Sequence, residues 1–149
     1  MRKKVADKLD IVKLGISFNP YRGKLFFGET GRHIPIPIRR FYFINNLLHP
    51  KIIRGMHAHK ILEQVIFCVN GSFELHLDDG KKKQKVVMNN LSVGIRLRKM
   101  TWHHMTKFSP DCVIFVVASH YHKESDYIRD YNKFLRCVKN NHYGRKSLS

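Results

Sequence analysis

Between Ser72 and Leu77 apolar and polar residues alternate one for one, in Ser72-Phe73-Glu74-Leu75-His76-Leu77. This is the pattern of a strand with one face buried and the other wet. Asp79-Gly80 follows and supplies a hairpin turn, which puts Lys81-Lys82-Lys83 at its solvated tip. Runs rich in β-branched and aromatic residues recur at 24–28, 39–45, 52–56, 64–69, 85–88, 93–97 and 113–119, punctuated by Gly, Pro, Asn and Asp. That distribution predicts an all-β sandwich or jelly roll rather than a parallel sheet with crossover helices. A helical period shows only near the end, where Ile128, Tyr131, Leu135 and Val138 share one face. They predict a helix over 126–139 with Ser125 or Asp126 as its cap, and the final KNNHYGRKSLS is expected to fray.

Composition narrows this to one unit. With 149 residues, 43% of them hydrophobic and 11% aromatic, the chain can bury one core, and a single domain over 1–149 is expected. The longest apolar run, Val113-Ile114-Phe115-Val116-Val117-Ala118, is far shorter than the ~20 residues of a membrane span. Charges interrupt MRKKVADKLDIVKLG, so it does not read as a secretory leader, and a cytoplasmic protein is expected. Cys68, Cys112 and Cys137 are odd in number and lack CxxC spacing, which predicts buried free thiols.

The formal charge of +17 draws attention to phosphate, since cations release counterions on binding it. The excess is nevertheless even along the chain: ten Lys/Arg against three acids in residues 1–50, ten against four in 51–100, and eight against four in 101–149. Without zinc-finger spacing, an RNP aromatic set or basic-zipper heptads, no nucleic-acid partner is expected. Small phosphorylated ligands suit the charge better.

The candidate chemistry sits in RGMHAHKILEQVIFCVNG, residues 54–71. His57 and His59 are at i and i+2, so on a strand they project to one face. Taken alone, the pair is open to three readings: a metal claw, two proton-transferring groups, or two solvated imidazoles at a sheet edge.

The surroundings are more specific. His57-x-His59-x3-Glu63, a strand-closing Gly71 and the later Trp102-His103 resemble the two signatures of the cupin superfamily, small jelly rolls with a site inside the barrel. Arg54-Gly55-Met56-His57-Ala58-His59-Lys60, Leu62-Glu63-Gln64 and Asp78-Asp79-Gly80 are similar to one branch, the dTDP-sugar 3,4-ketoisomerases. Tyr21-Arg22-Gly23-Lys24-Leu25, Ile38-Arg39-Arg40-Phe41-Tyr42, Phe108-Ser109-Pro110-Asp111-Cys112-Val113 and Ser125-Asp126-Tyr127-Ile128-Arg129-Asp130-Tyr131 extend the likeness over nearly the whole chain. One stretch departs from it: Arg96-Leu97-Arg98-Lys99-Met100-Thr101-Trp102-His103-His104 lacks the proline and the glutamate that flank this histidine in relatives.

The resemblance implies a cupin jelly-roll barrel with a short C-terminal helix. It implies an isomerase that moves the ketone of dTDP-4-dehydro-6-deoxyglucose from C4 to C3 through an enediol, with no cofactor. The product would feed an aminotransferase that builds a 3-amino-3,6-dideoxyhexose for lipopolysaccharide O-antigen. His57 and His59 would be the catalytic acid/base pair, a task for which imidazole is suited near neutrality. Arg54, Arg22 and Arg40 would hold the diphosphate, while Tyr42, Trp102 and His103 would contact the sugar or base. Relatives pair two barrels, so a homodimer is expected. The alternatives are a cupin that binds iron or manganese through His57, His59, Glu63 and His103, and a non-catalytic sugar-nucleotide-binding cupin.

Overall fold

The structure is a computed structural model that describes residues 9–143. The first eight residues of the charged N-terminal stretch, and residues 144–149 of the tail expected to fray, lie outside the described residues. Two five-stranded sheets face each other, built from antiparallel neighbours. One runs β1 (Ile11–Lys13), β9 (Val93–Leu97), β6 (Gln64–Asn70), β11 (Val113–Ala118), β4 (Arg40–Ile44). The other runs β12 (Tyr127–Ile128), β5 (Arg54–His59), β10 (Trp102–Thr106), β7 (Phe73–Asp78), β8 (Lys83–Met88). A separate hairpin joins β2 (Gly15–Asn19) to β3 (Gly23–Phe27). The all-β expectation is met.

The alternation in β7 turns Phe73, Leu75 and Leu77 inward, where they meet Ile66 and Cys68 of β6, Ile95 and Leu97 of β9, and Ile114 and Val116 of β11. Each such side chain contributes about 1.5–3 kcal/mol through burial. Strand β6 does not alternate, because both its faces are covered. Its outward Val65 and Phe67 pack with Val12, Ile34, Ile36 and Val117. Cys68 and Cys112 are buried free thiols, and Cys137 is free and half-buried.

The end of the chain departs from the periodicity reading. Glu124–Asp126 form a short 3-10 helix, Tyr127 and Ile128 pair with His59 and Ala58 as β12, and the helix α1 runs Tyr131–Tyr143. Neither Ser125 nor Asp126 caps it. Asp130 does, its Oδ1 accepting the Lys133 N–H at 2.6 Å. The false period has a packing cause: Ile128 on its strand and Phe134 on the helix bury into one cluster with Ala58 and Trp102. Strands β5 and β8 also differ from expectation, β5 reaching on to His59 and β8 starting at Lys83.

Strand β5 carries a bulge. His57 pairs with His103, yet Gly55 pairs with His104 and Arg54 with Met105, so Met56 is an extra residue. Gly55 and Met56 take left-handed φ values of 89° and 60°. Among the described residues no helix is long and apolar enough to cross a membrane.

Candidate active site

Residues that pair across adjacent strands share a face, and this places the site. His57 and His103 point inward from the second sheet, joined two residues along β5 by His59. The ring centroids of His57 lie 4.9 Å from His59 and 4.6 Å from His103. The bulge matters here. Simple alternation sets Arg54 and His57, three apart, on opposite faces, but the extra Met56 turns Arg54 to the face of Met105, which is the core face. From the first sheet Arg40, Tyr42 and Gln64 complete the group, Arg40 and Gln64 both aligning with Ala118 of β11. The Arg40 guanidinium lies over the Tyr42 ring at 4.7 Å.

Each imidazole is held differently. His57 Nδ1 lies 3.0 Å from the Gly55 carbonyl, which can only accept, so the proton is on Nδ1 and the Nε2 lone pair is free. His59 Nδ1 lies 3.2 Å from the Asp126 carboxylate. At His103 a directed chain arrives: the Tyr42 hydroxyl donates to Gln64 Oε1 at 3.2 Å, and Gln64 Nε2 donates to His103 Nε2 at 3.3 Å. Tyr127 closes the pair, its ring 4.8 Å from His57 and 4.4 Å from His59, with the Arg129 guanidinium above it.

Burial is the main influence on all three histidines and favours the neutral ring. It lowers His57 below its usual range, with Arg129 and Arg54 adding to the effect and the Gly55 carbonyl opposing it. His59 is brought down to about 4, by burial and then by His57, against the pull of Asp126. His103 lies well below its usual value, by burial and then by its two neighbours. Burial likewise pushes the Tyr42 phenol up to about 12 despite Arg40. At neutral pH the site therefore presents uncharged bases beside fixed cations.

Of the residues expected from the sequence, His57, His59, His103, Arg54, Arg40 and Tyr42 come together. Trp102 does not: it points to the outer face and packs on Tyr131 and Phe134 of α1. Arg22 is exposed in the turn between β2 and β3. Glu63, the carboxylate of the metal alternative, is turned to Arg96, whose Nη2 donates to it at 2.8 Å. Gln64 takes the place beside His103. Asp126, Tyr127, Arg129 and Gln64 were missed as site residues. The first three lay in a stretch read as helix, and Gln64 opened a run read only as a strand.

A β-sandwich that gathers imidazoles and arginines in its interior has the fold and site of a cupin. Residues 7–139 match the family described as FdtA: WxcM-like, C-terminal, and the chain belongs to that family. It is 43% identical over 117 residues to the TDP-4-oxo-6-deoxy-alpha-D-glucose-3,4-oxoisomerase of Aneurinibacillus thermoaerophilus, covering 78% of this chain and 84% of the relative. Among solved structures it is similar to a mutant form of the 3,4-ketoisomerase QdtA of Thermoanaerobacterium thermosaccharolyticum in complex with TDP-4-keto-6-deoxyglucose, at 34% identity and TM-score 0.82, over 87% of this chain and 93% of that one. It is also similar to a TDP-fucose-3,4-ketoisomerase of Campylobacter jejuni, at 35% identity and TM-score 0.82, over 87% and 95%. The chain is an isomerase of the 3,4-ketoisomerase type.

Proposed function

We propose that this chain moves the ketone of dTDP-4-dehydro-6-deoxyglucose from C4 to C3, using His57 and His59 as the acid/base pair. The supporting observation is the strand face they share with Arg54, with Arg40 facing it from the other sheet: imidazoles with free Nε2 lone pairs beside cations suited to a diphosphate. One histidine removes the C3 proton made acidic by the adjacent ketone, giving an enediol. The proton returns at C4 while the other histidine relays a proton between the two oxygens. One C–H bond breaks and one forms, so there is no net redox change. Tyr42 and His103 line the sugar. The 3-keto product presents the carbonyl an aminotransferase needs to make a 3-amino-3,6-dideoxyhexose.

The whole chain, 1–149, works in this reading as one domain of a cytoplasmic homodimer. The dimer rests on the edge strand β4, whose outward Phe41 and Phe43 are 64% and 59% exposed and cluster with Phe115.

The test is incubation with dTDP-4-dehydro-6-deoxyglucose in heavy water, followed by proton NMR. The expected product is the 3-keto sugar, with deuterium at C4 where the base exchanges with solvent. His57→Asn and His59→Asn should each still bind dTDP and lose about 10²–10⁴ in turnover. No ketone shift with wild-type protein, or full activity in both variants, overturns the proposal.

A further inference from the structure

We propose that Asp126 is a positioning residue that fixes the tautomer of His59 and keeps its Nε2 lone pair turned to the substrate. The inference rests on the reading of His59 as an acid/base group. Its first support is how the carboxylate is held. Oδ1 accepts the backbone N–H of Ile61 at 2.8 Å, and Oδ2 accepts that of Leu62 at 3.2 Å. The Asp126 carbonyl also takes the Lys60 N–H at 3.0 Å. These bonds tie the residue to the turn that leaves β5, so its position follows the strand that carries His59.

The second support is the direction of the bond. An ionised carboxylate only accepts, so the 3.2 Å contact at Oδ2 requires the proton on His59 Nδ1. The side chains are only 5% and 11% exposed, which keeps water from competing for either partner. The third support is a contrast within the pair. His57 is oriented by a neutral carbonyl, His59 by an anion.

The remaining groups that face His59 are His57 from its own strand, His103 of β10, Tyr127 of β12 and Arg40 of β4. None of these is a carboxylate, so an imidazolium formed at His59 during turnover has Asp126 as its counter-charge. Burial keeps the resting ring neutral, and the carboxylate offsets part of the cost of charging it.

Asp126→Asn is the informative substitution. With its amide oxygen in the place of Oδ1 it still accepts from Ile61, while its NH2 group takes the place of Oδ2, gives up the Leu62 N–H, faces Nδ1 and drives the proton to Nε2. Long-range proton–nitrogen NMR of the labelled imidazoles, with the His59 signal assigned by its loss in His59→Asn, should show Nδ1–H in wild type and Nε2–H in the variant. Turnover should fall about 10²–10⁴-fold, the scale of a wrong tautomer in a hydrogen-bonded dyad, with KM and dTDP affinity little changed. A wild-type His59 protonated on Nε2 overturns the inference, and this measurement stands even if the variant fails to fold. A folded Asp126→Asn with wild-type turnover also overturns it, provided His59→Asn is inactive. If His59→Asn is itself active, the acid/base reading of His59 fails, and the positioning role that rests on it fails too.

Discussion

Replacing Gly55 by alanine tests the bulge that aims the site. At φ 89° an L side chain is strained, by about 1–2 kcal/mol for this region. The new Cβ would stand 2.9 Å from the His103 carbonyl oxygen and 3.1 Å from His104 Cα, both of them backbone atoms of β10. Backbone cannot swing aside as a side-chain tip can, so β5 and β10 must part. We expect strain and crowding together to cost about 2–4 kcal/mol, a fall of roughly 5–15 °C in Tm for a domain of this size. The Gly55 carbonyl also holds His57 Nδ1. A displacement near 1 Å should lower kcat/KM by about 10²-fold. Gly31→Ala is the matched control: φ is 82°, and a Cβ there meets nothing within 4 Å, so it carries strain alone and should leave turnover intact. Thermal unfolding and steady-state kinetics of the two variants separate the effects. Equal melting temperatures with wild-type turnover in Gly55→Ala would refute the idea that this crowded bulge sets His57.

Acid should destabilise the fold. The buried histidines have lowered pKa values, so below the unfolded value near 6.5 the unfolded chain takes up protons the folded one refuses. Stability contributed by keeping His59 neutral is full above pH 6.5 and declines toward its folded value of about 4, by about 3 kcal/mol. Melting curves from pH 7.5 to 4.5 should show the loss, reduced in His59→Asn, and an identical slope in both proteins would count against it. Glu63→Gln should keep near-wild-type turnover and lose about 1 kcal/mol with its Arg96 partner; collapse of activity would favour the iron or manganese alternative. Phe41→Lys should shift sedimentation from dimer to monomer, and an unchanged profile would place the dimer contact elsewhere.

How much of this was legible in the sequence depended on whether local pattern and packing agreed. Strand β7 was plain because one face meets core and the other solvent along its middle, at Glu74, Leu75 and His76. His57 and His59 were found because strand geometry alone puts them on one face. Arg54 was legible only through resemblance, since no period of two places it beside His57. It joins them through an inserted residue whose pairing is set by β10. The helix boundary failed for a related reason. Ile128 obeys a helical spacing by burying where the helix also buries, while its backbone pairs with Ala58, far earlier in the chain. Asp126 was hidden with it, because a residue taken as a cap is assigned to the wrong partner. Trp102 illustrates the converse: adjacent to His103 in sequence, it faces the opposite way, as strand parity demands.

The chain of bonds from Tyr42 through Gln64 to His103 has a polarity, and that polarity guards the chemistry. The amide oxygen of Gln64 is engaged by the phenol, so what the side chain turns toward the imidazoles is an N–H group. To a cation, hydrogens on nitrogen are a repulsive wall. Glutamate at this position would be almost the same shape, yet it would set an anionic oxygen about where Nε2 now lies, 3.3 Å from His103 Nε2, and complete a set of three imidazoles and one carboxylate. A single nitrogen in place of oxygen thus stands between a pocket of three neutral imidazoles and one that could capture a metal.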